Sequence, residues 1–552
     1  MTALALLLLL LSSQSPQNPP PSSSSFSIMG VVVDAVTGAP IPRAELSLFL
    51  NNDELTTTAG ANGRFRFQNL QPAKYQLYAE ARGYLRQGLD QHGAFFTGVA
   101  VGSGLDSEHV VFRLHPQAVI YGRVSDEHGE AVRHAIVHVI QRSNGRSPNA
   151  NSGQFRSQTQ TDDLGEFRVA HLVPGKYVIA VQAQPWYAQI GFTGQSEPAQ
   201  GTFSGLRHTN PRVDPKLDVV YPLTFYPGAL NERSATELDL TAGSQVQANI
   251  QLQPVPSVHV FLTNLPIQEN NRSGINISGT QKAFGSTDLG MAMAMTQIAP
   301  GEYEVAGLPP GEIIFTIGDG GKPQDPPHRF SANVSDGNTI DAAASSGPAA
   351  NLTGRIIPGS PDTHFEQGQL VLVGEDNRSL SAKIQKDGTF SLPSIQSGTY
   401  KPLVFVSPRR YLVQKISASG ATVRGHDITL DGTHDVQLTI TLAPGVGQLT
   451  GVAQLSGTPK SGVLVLLEPQ SAETFADDMR MDQSDSDGTF TLGEILPGKY
   501  FLMAIDGGWD LDWSNPAVLE PFRDQAQILQ IAPDESIKVT INVQRSSKNN
   551  SH

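Results

Sequence analysis

A fourteen-residue stretch, Asp487 to Tyr500, recurs four more times without a gap, in copies that begin at Asn62, Leu164, Pro300 and Asp387. Aligned, the copies place Phe65, Phe167, Tyr303, Phe390 and Phe490 in one column. Ten residues further on, Tyr75, Tyr177, Ile313, Tyr400 and Tyr500 form a second. Each copy opens on a glycine (Gly63, Gly165, Gly301, Gly388, Gly488), the residue that most readily takes the positive φ of a tight turn. The aromatic and the apolar residue two beyond it share one strand face, because side chains alternate along a strand. A fixed aliphatic follows (Leu70, Leu172, Leu308, Ile395, Ile495), then a turn such as Pro174-Gly175 or Pro497-Gly498. The frame therefore predicts strand, short connection, strand, with one face buried. A helix would need a 3.6-residue period and would not accept glycine and proline at these places.

Five frames in 552 residues make one shared core implausible and give units of roughly 90–100 residues, inside the usual domain range. The predicted class is all-β, a tandem array of about five β-sandwiches. Expected boundaries are a leader and spacer at 1–25, units at 26–116, 117–254, 255–347, 348–445 and 446–545, and a tail at 546–552. Leu-x-Pro at Leu114, Leu252 and Leu442 punctuates three unit ends, since proline cannot extend a ladder. The second unit carries a long insert, 185–235, rich in aromatic, glycine and proline residues. Loops of that length inside a compact domain are usually functional or disordered. Short linkers point to a semi-rigid rod.

The net charge of −14 argues against nucleic-acid binding, which needs basic surface to displace counterions. No cysteine is present, so disulfides and thiolate metal sites are excluded. Ala3 to Leu11 is an unbroken apolar run of nine, about half a membrane span, followed by Ser, Gln and Pro. That pattern reads as a signal-peptide core and predicts export to the periplasm, the cell surface or the medium. No transmembrane span is expected.

Gly30-x-Val32-x-Asp34, then Gly38-x-Pro40-Ile41-Pro42-x-Ala44, the Asn62-Gly63-x-Phe65 turn and the later Pro-x-x-Tyr, resemble the carboxypeptidase regulatory-like domain. The resemblance is strongest over 27–115, 117–183 and 447–545 and weakest over 256–347. It implies a transthyretin-like, seven-stranded sandwich, similar to immunoglobulin-like adhesin repeats and to starch-binding-like folds. It also implies an accessory rather than a catalytic part, in bacterial multi-domain exported proteins. No His-Glu-x-x-His, Gly-x-Ser-x-Gly elbow or phosphate-binding glycine loop occurs, so no catalytic residue, metal ligand or cofactor is assigned. Adhesin-type isopeptide crosslinks are not carried over, because the opening strands at Gly30, Gly122, Gly354 and Gly451 lack lysine.

The candidate ligand residues are aromatic. Trp186 and Trp509 each lie nine residues beyond their tyrosine, and Tyr84 holds that place in the first unit. Recurrence points to a structural ring there. Trp513 and Tyr187 have no counterparts and are the preferred candidates. With Asp510 and Asp512, the Trp509–Trp513 segment has the composition of a sugar platform, in which rings stack on apolar pyranose faces and carboxylates accept hydroxyl hydrogen bonds. The expected partner is a glycan, with a cell-envelope protein as the alternative. The aspartates of 482–488 and 162–163 sit beside turns, but a calcium loop counted from Asp485 meets Leu496 where its glutamate is required. They read as Asp-Gly turns.

Overall fold

The computed structural model describes residues 25–142, 156–190, 214–265, 275–283, 287–319, 328–345, 349–361, 363–374, 379–406, 409–513 and 515–545. The apolar run Ala3–Leu11, insert residues 191–213, Asn377 and the tail 546–552 lie outside them. The chain is a tandem array of β-sandwiches, as predicted. Five principal core clusters follow one another along it, spanning Ile28–Leu114, Ala118–Leu252, Val258–Ala342, Leu352–Leu442 and Leu449–Val543.

The repeated frame turns out to be the crossover between the two sheets of each sandwich. Its first strand pairs antiparallel with the strand that opens the unit: Arg64–Leu70 with Phe26–Asp34, Glu166–Leu172 with Ala118–Ser125, Glu302–Leu308 with Val258–Thr263, Thr389–Gln396 with Ala349–Ile357, and Thr489–Ile495 with Gly447–Leu455. The second frame strand belongs to the opposite sheet. On its other side the opening strand pairs parallel with a strand from the end of the same unit, which draws the unit shut.

Register explains why two motifs travel together. The frame aromatic sits opposite Gly30, Gly122, Gly354 and Gly451. A Cβ on Gly354 or Gly451 would lie 2.5 Å from the facing phenylalanine ring, so glycine leaves the space the ring fills. In the third unit Leu262 faces Tyr303 instead. The frame tyrosine is buried, and its hydroxyl donates to the carbonyl four residues back: Tyr75 to Gln71, Tyr177 to Val173, Tyr400 to Gln396, Tyr500 to Leu496. A buried phenol needs such a partner. Ile313 has no hydroxyl to satisfy. The residue before the fixed aliphatic is left-handed in every copy (Asn69, His171, Gly307, Ser394, Glu494) and coincides with the bulge that bends the strand toward the other sheet.

The units do not form an open rod. The linker at His115–Gln117 is pinned to both neighbours: Gln117 N donates to Gly83 O, and Gly243 N to Pro116 O. Units two and three share the small sheet Val219–Val220/Val255–Pro256 and an apolar cluster of Ile140, Val178, Ala180, Leu223, Phe225, Ala283 and Leu289. Gln396 Nε2 donates to Arg329 O between units three and four, and Lys401 pairs with Asp477 between four and five. Finally Lys74 and Gly98 of the first unit bond to Asp485 of the fifth. Contacts that the linkers alone do not specify close the array into a circuit.

Candidate functional site

Between units two and three lies a cleft of about 930 Å³. Its walls come from the loop after Ala118–Ser125 (Glu130, Arg133, His134), the start of the insert (Trp186, Ile190), and the third-unit segment Gly290–Ala292. Trp186 stands at the rim and is 77% exposed. Its ring meets that of Tyr187 edge-on, with centroids 5.9 Å apart at 90°. Beneath it, Tyr187 donates to Glu127 Oε1 at 2.5 Å and Tyr221 to Glu127 Oε2 at 3.1 Å. Burial alone would raise the Glu127 carboxyl, but the Tyr187 hydroxyl, a backbone N–H, the Tyr221 hydroxyl and His128 together outweigh it and hold the group below its ordinary value. The same burial, with the facing carboxylate, pushes both phenols well up, so they stay protonated donors. Tyr187 is thus a strut under Trp186. Opposite, His138 Nε2 lies 2.8 Å from Gln182 Oε1, and Gln182 Nε2 donates to Gly290 O, tying the two units at the cleft.

Next to the cleft, at the same junction, His259 lies between two carboxylates. Nε2 is 2.8 Å from Asp218 Oδ2 and Nδ1 is 2.9 Å from Glu304 Oε1. The hydrogen bonds it donates to Asp218, then to Glu304, outweigh burial and raise the imidazole to about 9. It is therefore a cation at neutral pH. Sequence reading missed this group, and no motif signals it. Glu304 occupies the frame position held by Arg66, Arg168, Ser391 and Thr491, all exposed, yet it is 0% exposed itself.

The six predicted residues fall in two different places. Trp186 lines the cleft between units two and three, with Tyr187 against it; the other four lie on the fifth. Trp513 is corrected: it is 6% exposed, packed with Met503, Leu511, Leu519 and Phe522, and presents no free face to a ligand. The helix Pro516–Arg523 covers it, a lid of core that alternation alone does not foresee. Trp509 is half-buried and stacks on His92 of the first unit, with centroids 5.0 Å apart and planes at 7°. Its Nε1 donates to Gly462 O. Asp510 and Asp512 are exposed beside it. Trp186, expected to be structural by its recurrence, is the open one.

The acidic turns have structural tasks. Asp162 Oδ1 accepts from Leu164 N and Glu166 N, and Asp487 Oδ1 from Thr489 N. Asp126, Glu127 and His128 bring ligand atoms within 4.8 Å of one another. Asp126 Oδ1 already accepts from His128 N and Glu130 N, and both Glu127 oxygens are taken by tyrosines. The group is a hydrogen-bonded turn.

Two segments, 27–114 and 119–197, match the model of the carboxypeptidase regulatory-like domain. No curated protein matches the chain. Among solved structures, the TIE protein of Bacillus anthracis is similar at 10% identity over 95% of this chain and 76% of that one, with a TM-score of 0.16. The major pilin subunit BcpA of Bacillus cereus aligns at 10% identity over 77% and 99%, with 0.14. A streptococcal ancillary pilin aligns at 12% over 52% and 98%, with 0.17. Scores this low carry no argument about arrangement or activity.

Proposed function

Starting from a chain that carries two carboxypeptidase regulatory-like domains in a tandem array of β-sandwiches, we propose an exported, non-catalytic binding array that takes a glycan in the cleft between its second and third units. One observation carries the reading: a tryptophan left 77% exposed at the rim of a cleft, propped by a tyrosine whose hydroxyl is itself held by a carboxylate. An aromatic face of this kind accepts the apolar face of a pyranose. Arg133, His134 and Glu130 in the same lining supply donors and acceptors for sugar hydroxyls. Export is supported by the apolar run Ala3–Leu11 and the Ser- and Pro-rich stretch after it. A role without catalysis is supported by the lack of a zinc-peptidase, hydrolase-elbow or phosphate-loop motif in the sequence.

A glycan array probed with the wild-type chain and with Trp186→Ala tests it. Binding by wild type and its loss in a folded Trp186→Ala variant is the expected result. Silence from wild type across plant, microbial and peptidoglycan-type sugars removes the glycan. That leaves the second reading, a structural or assembly scaffold that binds protein.

A further inference from the structure

The contact between the first and fifth units joins residues 387 positions apart, Gly98 and Asp485, and its chemistry differs from that of the junction between units two and three. Asp485 Oδ1 accepts from Gly98 N at 2.8 Å and Oδ2 from Lys74 Nζ at 2.8 Å. Ser486 N donates to Gly98 O, and Ala100 N donates to Ser486 Oγ, so the fifth-unit turn lies against the edge strand Val99–Val101 almost as another strand. Gln483 is 1% exposed; its Nε2 donates to Asp90 O and to Thr97 Oγ1, and its Oε1 lies 3.0 Å from His92 Nδ1. His92 and Phe95 then cover the ring of Trp509. Every polar group named here has a partner in the closed state.

We propose that this contact is a clasp that holds the five sandwiches in a closed ring and opens before any sandwich unfolds, converting the ring to an extended array. Water replaces the partners of its amides, hydroxyls and carboxylate when it opens, so the net cost of parting them is small. The junction between units two and three would instead expose an apolar cluster and a buried cation between carboxylates. The four intervening junctions hold the two faces near each other and reduce the entropy lost on closing. Gly98 leaves room for the carboxylate: a Cβ there would stand 2.7 Å from Asp485 Oδ1 and displace it from its place between Gly98 N and Lys74. Its φ lies outside the left-handed region, so a branched side chain at this position disturbs the Asp485 contacts of the clasp without straining its own backbone.

Small-angle scattering of the full chain tests the clasp. Wild type is expected to be compact, and Gly98→Val to have a larger maximum dimension with unchanged circular dichroism. In rising urea, wild type is expected to expand before its β signal falls. In a chain otherwise without cysteine, Lys74→Cys/Asp485→Cys joined by a short bismaleimide is expected to remain monomeric and to lose that early expansion. An unchanged profile in Gly98→Val, an extended wild type, or crosslinks that join separate chains would each overturn the proposal. So would a wild type that expands only as its strands melt.

Discussion

The cleft between units two and three and the clasp between units five and one are built around the same ring. Trp186 and Trp509 each stand nine residues after the frame tyrosine, on the segment that leaves the second frame strand. At the first site the neighbouring unit brings Gly290–Ala292 to the far wall and leaves the tryptophan open. At the second, the neighbouring unit brings His92 and Phe95 onto the ring. Identical placement within a sandwich therefore yields a candidate ligand surface or an internal contact, according to what the next unit supplies. A recurring aromatic is not by recurrence a core residue.

Substitutions of graded severity sharpen that contrast. Trp513→Ala removes a ring buried within the fifth unit and should lower stability by about 3–5 kcal/mol in chemical denaturation, the range for large aromatic truncations. A loss under 1 kcal/mol would mean that the ring is not core. His259→Gln strips the cation from between Asp218 and Glu304 and should cost about 3 kcal/mol at neutral pH, as when one partner of a buried pair is lost. Because the carboxylates raise the imidazole, its contribution is full below its ordinary value near 6.5 and fades as pH rises through about 9. The gap in Tm between wild type and His259→Gln should accordingly be wide at pH 6 and narrow at pH 9.5; a constant gap would show that charge is not what His259 provides.

Trp509→Ala should cost about 1 kcal/mol beyond lost area, through its stack on His92, and should loosen the clasp in scattering rather than the fifth unit in circular dichroism. Trp186→Ala should move stability by less than about 0.5 kcal/mol, since its ring is mostly in water. Equal thermal shifts for Trp186→Ala and Trp509→Ala would dissolve the distinction between the two sites.

Much of the fold was legible because the frame encodes local requirements. Gly63 and its counterparts take positive φ, the aromatic and aliphatic columns alternate inward, and the bulge falls at one place in all five copies. The weakest copy is also the one that breaks the glycine–aromatic pairing, with Leu262 opposite Tyr303. The candidate site was legible only in part. Trp186 and Tyr187 were visible as aromatic residues opening a long insert, but Trp186 was placed below the buried Trp513. The burial of Trp513 depends on the helix Pro516–Arg523 folding back over it. Asp485 read only as part of an Asp-Gly turn, and it is also an acceptor for another unit's backbone.

The sequence by itself determined the sandwich, its five-fold recurrence and the crossing strand pair, because turn conformation and alternating burial act between residues a few positions apart. Tertiary structure alone decided which outward-facing positions meet another unit. Glu304 shares a frame position with Arg66 and Thr491, yet it is buried, bonded to His259, whose other ring nitrogen meets the second unit's Asp218. Nothing within a few residues of Glu304 records that neighbour, so periodicity could not reveal it. The same holds for Gln483, Asp485 and Trp509 on the fifth unit, whose partners in the first unit come from hundreds of residues away in the chain.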